Sequence, residues 1–205
     1  MIVGIIDLKL SNIFSIKNAC IKLGYDTRII ENSKDLETCD SLILPGVGAF
    51  HKAMYRLNKS KLSSSIKKFI ENNKPFLGIC LGMQLLFSKS HEFVTTDGIG
   101  IFKGEVINFQ LIDKSLKVPH IGMNYLELTS NFKNSEISLF EKKKYFFNHS
   151  FCVQGINNSL SVANTKYNKT NFCSVVKKNK ILGTQFHPEL SYDHGLKLIK
   201  CLENL

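Results

Sequence analysis

The amino-acid sequence predicts an α/β fold, in which a central mixed, largely parallel sheet carries helices on both faces. Short apolar segments alternate with helical patterns through roughly the first ninety residues, which is typical of βαβ units. From about residue 97, shorter strands joined by polar turns replace this alternation and indicate antiparallel additions to the sheet. No linker, repeat or low-complexity segment interrupts the 205 residues, so we expect a single domain over 1–205.

Each element has its own signal in the sequence. Residues 1–7 form an apolar run typical of a buried strand, and residues 11–24 repeat apolar side chains at helical spacing before Gly24. The other predictions for the first half are strands at 26–31, 40–46 and 74–80 and helices at 51–72, with a break near Asn58, and at 82–90. The strand-bearing segments of the second half are 99–109, 117–128, 145–153 and 172–187, and an amphipathic helix covers 191–205.

Composition and charge exclude several classes of function. The chain carries 27 basic and 17 acidic residues, a net charge of +10, yet only Arg28 and Arg56 are arginines. The lysines are scattered, which favours a solvated surface over nucleic-acid binding. No apolar run approaches the roughly 18 residues of a membrane helix, so we expect no membrane partner. The first residues lack a signal-peptide pattern, so we expect a cytoplasmic protein.

The six cysteines are Cys20, Cys39, Cys80, Cys152, Cys173 and Cys201. None belongs to a CxxC pair, so we expect no zinc site, and we expect reduced thiols in a cytoplasm. Cys80 differs from the others because it lies in Gly78-Ile79-Cys80-Leu81-Gly82, between an apolar strand and a helical pattern. G-x-C-x-G is the thiol counterpart of the nucleophile elbow, whose helix start favours a thiolate. A buried structural cysteine in a glycine-rich turn is the alternative.

A thiolate nucleophile needs a group that carries protons, and His187 is the candidate for this role. Pro188 restricts His187 to extended backbone, where residues i and i+2 point the same way. Glu189 is therefore expected to lie beside the imidazole ring and orient it, which gives a Cys–His–Glu arrangement. A surface histidine before a turn is the alternative, and the neighbouring elbow motif disfavours it.

The segment 44–50 ends an apolar strand and opens a loop before a helix. Its glycines let the backbone approach a ligand and present N–H groups as an oxyanion hole. A plain βα loop or a phosphate-binding turn is the alternative, although no GK[ST] sequence follows and a P-loop is excluded.

Three motifs occur together: PGVGAF at 45–50, GICLGMQLLF at 78–87 and GTQFHPE at 183–189. In this order and spacing they resemble the class I glutamine amidotransferases, a flavodoxin-like family with a Cys–His–Glu triad. With KVPHIGMN at 117–124, the chain is similar to the glutaminase subunits of imidazole glycerol phosphate synthase. The resemblance extends from the first strand to the last helix.

The resemblance implies a hydrolysis of glutamine that needs no metal or organic cofactor. Cys80 would attack the side-chain carboxamide, His187 would act as general base and acid, and Glu189 would orient His187. The residues implied to stabilise the oxyanion or hold glutamine are Val47, Gly48, Leu81, Gln84, Glu92, His149, Ser150 and Phe151. In this family the oxyanion N–H can be turned away until the partner is engaged, and glycines in the loop make such a flip possible.

The resemblance also implies a partner, because 205 residues leave no room for a domain that uses the ammonia. In the family this partner is a (βα)8-barrel cyclase of histidine biosynthesis, with which the chain would form a heterodimer. The partner-facing positions are Asn12, Met123 and Leu190. The sequence departs from the family around them, since Lys9-Leu10-Ser11 replaces glycines, Met123 replaces tryptophan and Leu190 replaces lysine.

Other functions stay open on the sequence alone. The departures are compatible with a paralogous subunit that supplies ammonia for amination of a cell-surface sugar. A stand-alone cysteine hydrolase or peptidase would share the fold, but Gln84 and Glu92 suit a free amino acid. A non-catalytic regulatory subunit would have no reason to keep the triad, and an RNA-binding module is the last alternative.

Overall fold

The computed structural model describes residues 1–132 and 139–205, and strands and helices alternate through the first half of the chain. The strands are β1 Ile2–Ile6, β2 Asp26–Ile30, β3 Ser41–Leu44, β4 Phe76–Ile79, β5 Lys89–Ser90, β6 Thr96–Asp97, β7 Glu105–Asn108, β8 His120–Tyr125, β9 Glu127–Leu128, β10 Lys144–His149, β11 Phe151–Gln154, β12 Ser161–Tyr167, β13 Thr170–Lys178 and β14 Ile181–Thr184. The helices are α1 Ile13–Lys22, α2 Phe50–Lys59, α3 Leu62–Glu71, α4 Leu81–Gln84 and α5 Tyr192–Lys200.

Eight strands form the central sheet in the order β2-β1-β3-β4-β14-β13-β12-β9. The strands from β2 to β14 are parallel to their neighbours, whereas β13, β12 and β9 continue the sheet antiparallel. The prediction of a mixed, largely parallel sheet is confirmed. The sheet takes strands from both halves of the chain.

Helices cover both faces of this sheet, because alternate side chains of a strand enter opposite apolar cores. In β3, Ile43 belongs to the core that includes buried residues of α1 and α5. Its neighbours Leu42 and Leu44 belong to the second core, against α2 and α3. The strands whose ends carry the site are therefore buried on both faces.

Two smaller sheets lie beside the central one. β8 and β10 form an antiparallel pair, and β11, β7, β5 and β6 form a four-stranded sheet in that order. An isolated bridge joins Phe146 of β10 to His187, just beyond the end of β14. The small β8–β10 sheet is thereby anchored to the segment that follows the central strand.

Two predicted helices differ in detail. The helix predicted over 51–72 with a break near Asn58 is two helices, and the break lies at residues 60–61, where Lys61 has a φ of +58°. The helix predicted over 82–90 is wrong, since α4 ends at Gln84 and residues 89–90 are a strand. The carbonyl oxygens of Leu85 and Leu86 accept hydrogen bonds from residues 99–102 instead of continuing the helix.

Strand β12 was not predicted, although its neighbour β13 was. The final helix ends at Lys200, followed by a 3-10 turn over Cys201–Glu203. Within residues 1–132 and 139–205, no helix has both the length and the apolar character needed to span a bilayer.

Candidate active site

Cys80 occupies a sharp turn between β4 and α4, with φ of +53° and ψ of −110°. Such a backbone conformation is unusual for a residue with a side chain and is typical of functional turns. The Cys80 N–H donates to the Thr184 carbonyl at 2.7 Å, which continues the β4–β14 pairing into the turn. A Cβ on Gly82 would lie 1.7 Å from the Leu44 carbonyl oxygen, so the turn requires glycine there.

His187 follows the neighbouring parallel strand β14, and this pairing brings it to the same edge of the sheet as Cys80. Its backbone is extended, with φ of −99° and ψ of 96°, as expected before Pro188. Its N–H donates to the Phe146 carbonyl at 2.8 Å, which fixes the main chain. The His187 Nδ1 lies 2.9 Å from the Glu189 Oε1, although Glu189 belongs to a 3-10 turn over Pro188–Leu190 rather than to extended backbone.

The protonated form of His187 is stabilised by its two acidic neighbours. Burial acts to lower the pKa of His187, but the Cys80 charge, a hydrogen bond with Cys80 and the Glu189 carboxylate outweigh burial and raise it to about 10. The side chains of His187 and Glu189 are only 7% and 6% exposed. Little water screens these groups, so the imidazole ring lies in a buried site between the Cys80 sulfur and the Glu189 carboxylate.

Three other buried cysteines, Cys20, Cys152 and Cys173, lack a cationic neighbour in the described part of the chain. Burial raises the pKa of Cys20 and of Cys152 to about 12, and that of Cys173 to about 11. These thiols stay protonated at neutral pH and act as small apolar groups, as predicted from their surroundings.

A cavity of about 520 Å³ opens beside Cys80. All of the residues predicted to stabilise the oxyanion or to hold the substrate line this cavity, namely Val47, Gly48, Leu81, Gln84, Glu92, His149, Ser150 and Phe151. Lys52, which the sequence analysis did not identify, lines it as well. The cavity therefore presents a carboxylate and an ammonium group beside the thiol, which suits the charges of a free amino acid.

Glu92 is held by the start of α2. Its Oε2 accepts a hydrogen bond from the Phe50 N–H at 2.6 Å. The N-terminus of α2 therefore faces this acidic side chain. Glu92 lies at the wall of the cavity, where an ammonium group would pair with it.

The two predicted oxyanion donors are occupied in this structure. The Val47 N–H donates to the Leu10 carbonyl at 2.7 Å, and the Leu81 N–H donates to the Gly46 carbonyl at 3.3 Å. Gly48 has φ of +95°, a conformation in which glycine is favoured. The oxyanion loop therefore has its Val47 donor turned toward the loop between β1 and α1.

Two neutral histidines support the wall of the cavity. Burial lowers the pKa of His149 to about 3 and that of His120 to about 4, so both rings are neutral at pH 7. The His149 Nδ1 lies 2.8 Å from the Phe151 carbonyl oxygen, and the His149 Nε2 lies 3.1 Å from the His120 Nδ1. With each ring donating one N–H, the chain of bonds runs from His120 through His149 to Phe151. The geometry assigns His149 a role in holding the backbone of the cavity wall.

Gln185 is a site residue that the sequence analysis missed. Its amide nitrogen lies 3.7 Å from the Cys80 sulfur, and its carbonyl oxygen accepts from the Gln84 amide at 3.0 Å. The available signal was its position two residues before His187, at the end of an apolar strand. Within the described residues, no group of three or more His, Cys, Asp and Glu side chains is arranged to hold a metal ion.

The positions predicted to face a partner lie around the triad. Met123 of β8 pairs with Phe146 of β10, and Phe146 is bridged to His187. Leu190 ends the turn after the triad and is 49% exposed, and that turn contacts α1, which Asn12 precedes. Met123 and Leu190 therefore lie on segments next to the triad, and Asn12 precedes the helix that contacts the triad turn.

The chain matches the model of the glutamine amidotransferase class-I family over residues 4–200. The chain belongs to this family and is a glutamine amidotransferase. A crystal structure of a glutamine amidotransferase has the same fold, with a TM-score of 0.77 over 99% of both chains at 18% identity.

The similar curated proteins point to one member of the family. Imidazole glycerol phosphate synthase subunit HisH of Caldanaerobacter subterraneus subsp. tengcongensis is 40% identical over 204 residues, covering 97% of this chain and 95% of that protein. The subunit of the same name from Sulfurimonas denitrificans is 40% identical over 200 residues, with the same coverage. These matches favour the glutaminase-subunit interpretation over the other functions considered from the sequence.

We expect the substitution Gly82→Ala to disrupt the elbow. Its new Cβ would overlap the Leu44 carbonyl oxygen, so we expect the free energy of unfolding to fall by about 3 kcal/mol or more, with loss of glutaminase activity. Denaturant titration measures the first effect and glutamate release the second.

Gly24→Ala is the control, because that site has open space but a φ of +80°. Its free energy of unfolding should fall by about 1–2 kcal/mol, and its glutaminase activity should be kept. Equal losses of stability in the two variants would contradict the close contact at Gly82.

Proposed function

We propose that this chain is the glutaminase subunit of an imidazole glycerol phosphate synthase, hydrolysing glutamine to glutamate and ammonia for a cyclase subunit. The observation that carries the proposal is the alignment of Cys80, His187 and Glu189 at a cavity that also presents Glu92 and Lys52. The similarity to HisH subunits over nearly the full length of the chain supports the same conclusion.

The first half of the reaction forms a thioester. The Cys80 thiolate attacks the side-chain carbonyl carbon of glutamine, and the carbonyl oxygen becomes an oxyanion that backbone N–H groups stabilise. The tetrahedral intermediate collapses as the protonated His187 gives its proton to the leaving nitrogen. Ammonia departs and the γ-glutamyl group stays on the Cys80 sulfur.

The second half releases glutamate. His187, now neutral, takes a proton from a water molecule as that water attacks the thioester carbon. The carbon–sulfur bond breaks, glutamate leaves and the Cys80 thiolate with its imidazolium partner is restored. Glu189 keeps the Nδ1–H of His187 directed at itself, so that Nε2 faces the reacting atoms.

A partner is required because ammonia released into water is protonated and loses its nucleophilicity. We propose a (βα)8-barrel cyclase that forms a heterodimer with this chain and docks over the edge marked by Asn12, Met123 and Leu190. Exposed apolar side chains support this placement, since Phe14 on α1 and Tyr192 at the start of α5 are 75% and 73% exposed.

Docking at this edge would also act on the oxyanion loop. The Val47 N–H is bonded to the Leu10 carbonyl, and Leu10 lies in the loop that leads to Asn12. A partner that moves this loop would release the Val47 N–H, and the peptide between Gly46 and Val47 would be free to turn toward the substrate. Glutamine hydrolysis would then be fast only when the cyclase is bound.

Two alternative functions have less support than the proposed one. A subunit that supplies ammonia to a cell-surface sugar would use the same site, but the matching relatives bear the name of the histidine-pathway synthase subunit. A regulatory subunit without catalysis would not need the Cys80–His187–Glu189 alignment. The cytoplasmic location stays a prediction.

The direct test measures glutamate release from glutamine by the purified chain, alone and with a histidine-pathway cyclase and its nucleotide ligand. We expect the cyclase to stimulate release by at least 100-fold, because it completes the oxyanion hole. Cys80→Ala is the blank and should release none. Glutamate release that the cyclase does not change would support the hydrolysis and contradict the proposed partner. No glutamate release under any condition would favour the regulatory alternative.

Phe14→Asp tests the docking edge. Phe14 lies one turn before Asn18 on α1, and Asn18 and Tyr192 line the same groove. A charge there should weaken cyclase binding by roughly 10-fold or more, since it would be desolvated in the interface. Calorimetric titration of the cyclase into the chain gives the affinity.

Ile21→Asp is the matched control, because Ile21 is an exposed apolar residue on the same helix, two turns along it from Phe14, and does not line the groove of Asn18 and Tyr192. It should bind the cyclase as the natural chain does. If the Phe14→Asp variant and the control bind the cyclase with equal affinity, the cyclase docks on another surface of the chain.

A further inference from the structure

Gln185 is a fully buried polar side chain at the reacting sulfur. It follows β14 directly, and its own exposure is 0%. Its backbone N–H donates to the Ser174 carbonyl at 2.9 Å, so the sheet pairing continues through this residue. The backbone is thus satisfied by the sheet, and the side-chain amide is available for the site.

The hydrogen-bond network fixes the orientation of the Gln185 amide. The Gln84 nitrogen donates to the Phe151 carbonyl at 3.0 Å and to the Gln185 oxygen at 3.0 Å. Rotating the Gln185 amide by half a turn would set two NH₂ groups against each other. The Gln185 nitrogen therefore faces the Cys80 sulfur, at 3.7 Å.

The two polar neighbours of the sulfur act in opposite directions. The Asn148 carbonyl oxygen lies 3.9 Å from the sulfur and accepts only from a thiol S–H. The Gln185 N–H donates, and a donor binds a thiolate more strongly than a thiol because the bond is charge-assisted. Ionisation of Cys80 would therefore lose the first contact and strengthen the second.

We propose that Gln185 serves the glutaminase reaction by stabilising the Cys80 thiolate through its N–H and by fixing the Gln84 side chain through its carbonyl. The proposal rests on the proposed glutaminase function and adds a residue outside the Cys80–His187–Glu189 triad. It links the nucleophile to the cavity wall, because Gln84 continues the bonds to Phe151. One amide then holds both the attacking atom and a residue of the substrate cavity.

The test replaces Gln185 by methionine, which has nearly the same length and no donor. Iodoacetamide alkylation is measured against pH by the mass of the Cys80 peptide, which separates Cys80 from the other five cysteines. In Gln185→Met we expect alkylation at pH 7 to slow about 10-fold and its half-maximal pH to rise. The turnover number for glutamine should fall by a similar factor in the cyclase complex.

Ser174→Ala is the matched control, because Ser174 pairs with Gln185 in the sheet and its buried hydroxyl donates to the Ala163 carbonyl, away from the site. It removes a buried hydrogen bond and should keep the alkylation profile and the turnover number of the natural chain within about twofold. If Cys80 is alkylated slowly in Gln185→Met and at the natural rate in Ser174→Ala, the effect is on the sulfur and not a general loss of stability.

Alkylation of a folded Gln185→Met variant at the natural rate and pH would overturn the proposal. Should that variant fail to fold, Gln185→Asn decides, because its amide is one methylene shorter and too short to keep both contacts; natural alkylation there would also overturn the proposal. Alkylation needs no glutamine, so a natural chain that releases no glutamate even with the cyclase bound would refute the proposed function while the alkylation rates still report on Gln185.

Discussion

The active site depends on the parallel pairing of β4 with β14. This pairing ends with the Cys80 N–H donating to the Thr184 carbonyl, so the nucleophile and the segment of His187 leave the sheet side by side. A histidine on a more distant strand would not reach the sulfur. The two apolar cores matter to catalysis because they hold these strands from both faces of the sheet. A slip by one residue would turn Cys80 away from the cavity.

The second requirement is that the charges at the site stabilise each other without water. A buried imidazolium is unfavourable on its own, and the Cys80 thiolate and the Glu189 carboxylate compensate for its desolvation. The backbone at Cys80 is strained as well, with a positive φ in a residue that has a side chain. The strained turn and its buried charges are both tolerated because β4, β14 and the β8–β10 pair surround the turn and hold it in place.

The sequence predicted the features that depend on local spacing. The elbow, the oxyanion loop and the contact of His187 with Glu189 each lie within a few residues, so their geometry follows from turn and strand rules. The prediction of a helix over 82–90 was wrong because N–H groups of residues 99–102 bond to the carbonyl groups that would have continued the helix. Gln185 and the Val47–Leu10 bond were missed for the same reason, since their partners are distant in the sequence and only the folded sheet brings them together.

The most direct test of the thiolate–imidazolium pair is an NMR titration of His187 in the natural chain and in Cys80→Ala, with labelled histidine. The Cys80 charge is the strongest influence that raises the pKa of His187, and burial opposes it. We expect His187 to stay protonated to about pH 10 in the natural chain and its pKa to fall clearly in Cys80→Ala, where burial acts against the Glu189 carboxylate alone. An unchanged titration in the two proteins would contradict a charge contact between Cys80 and His187.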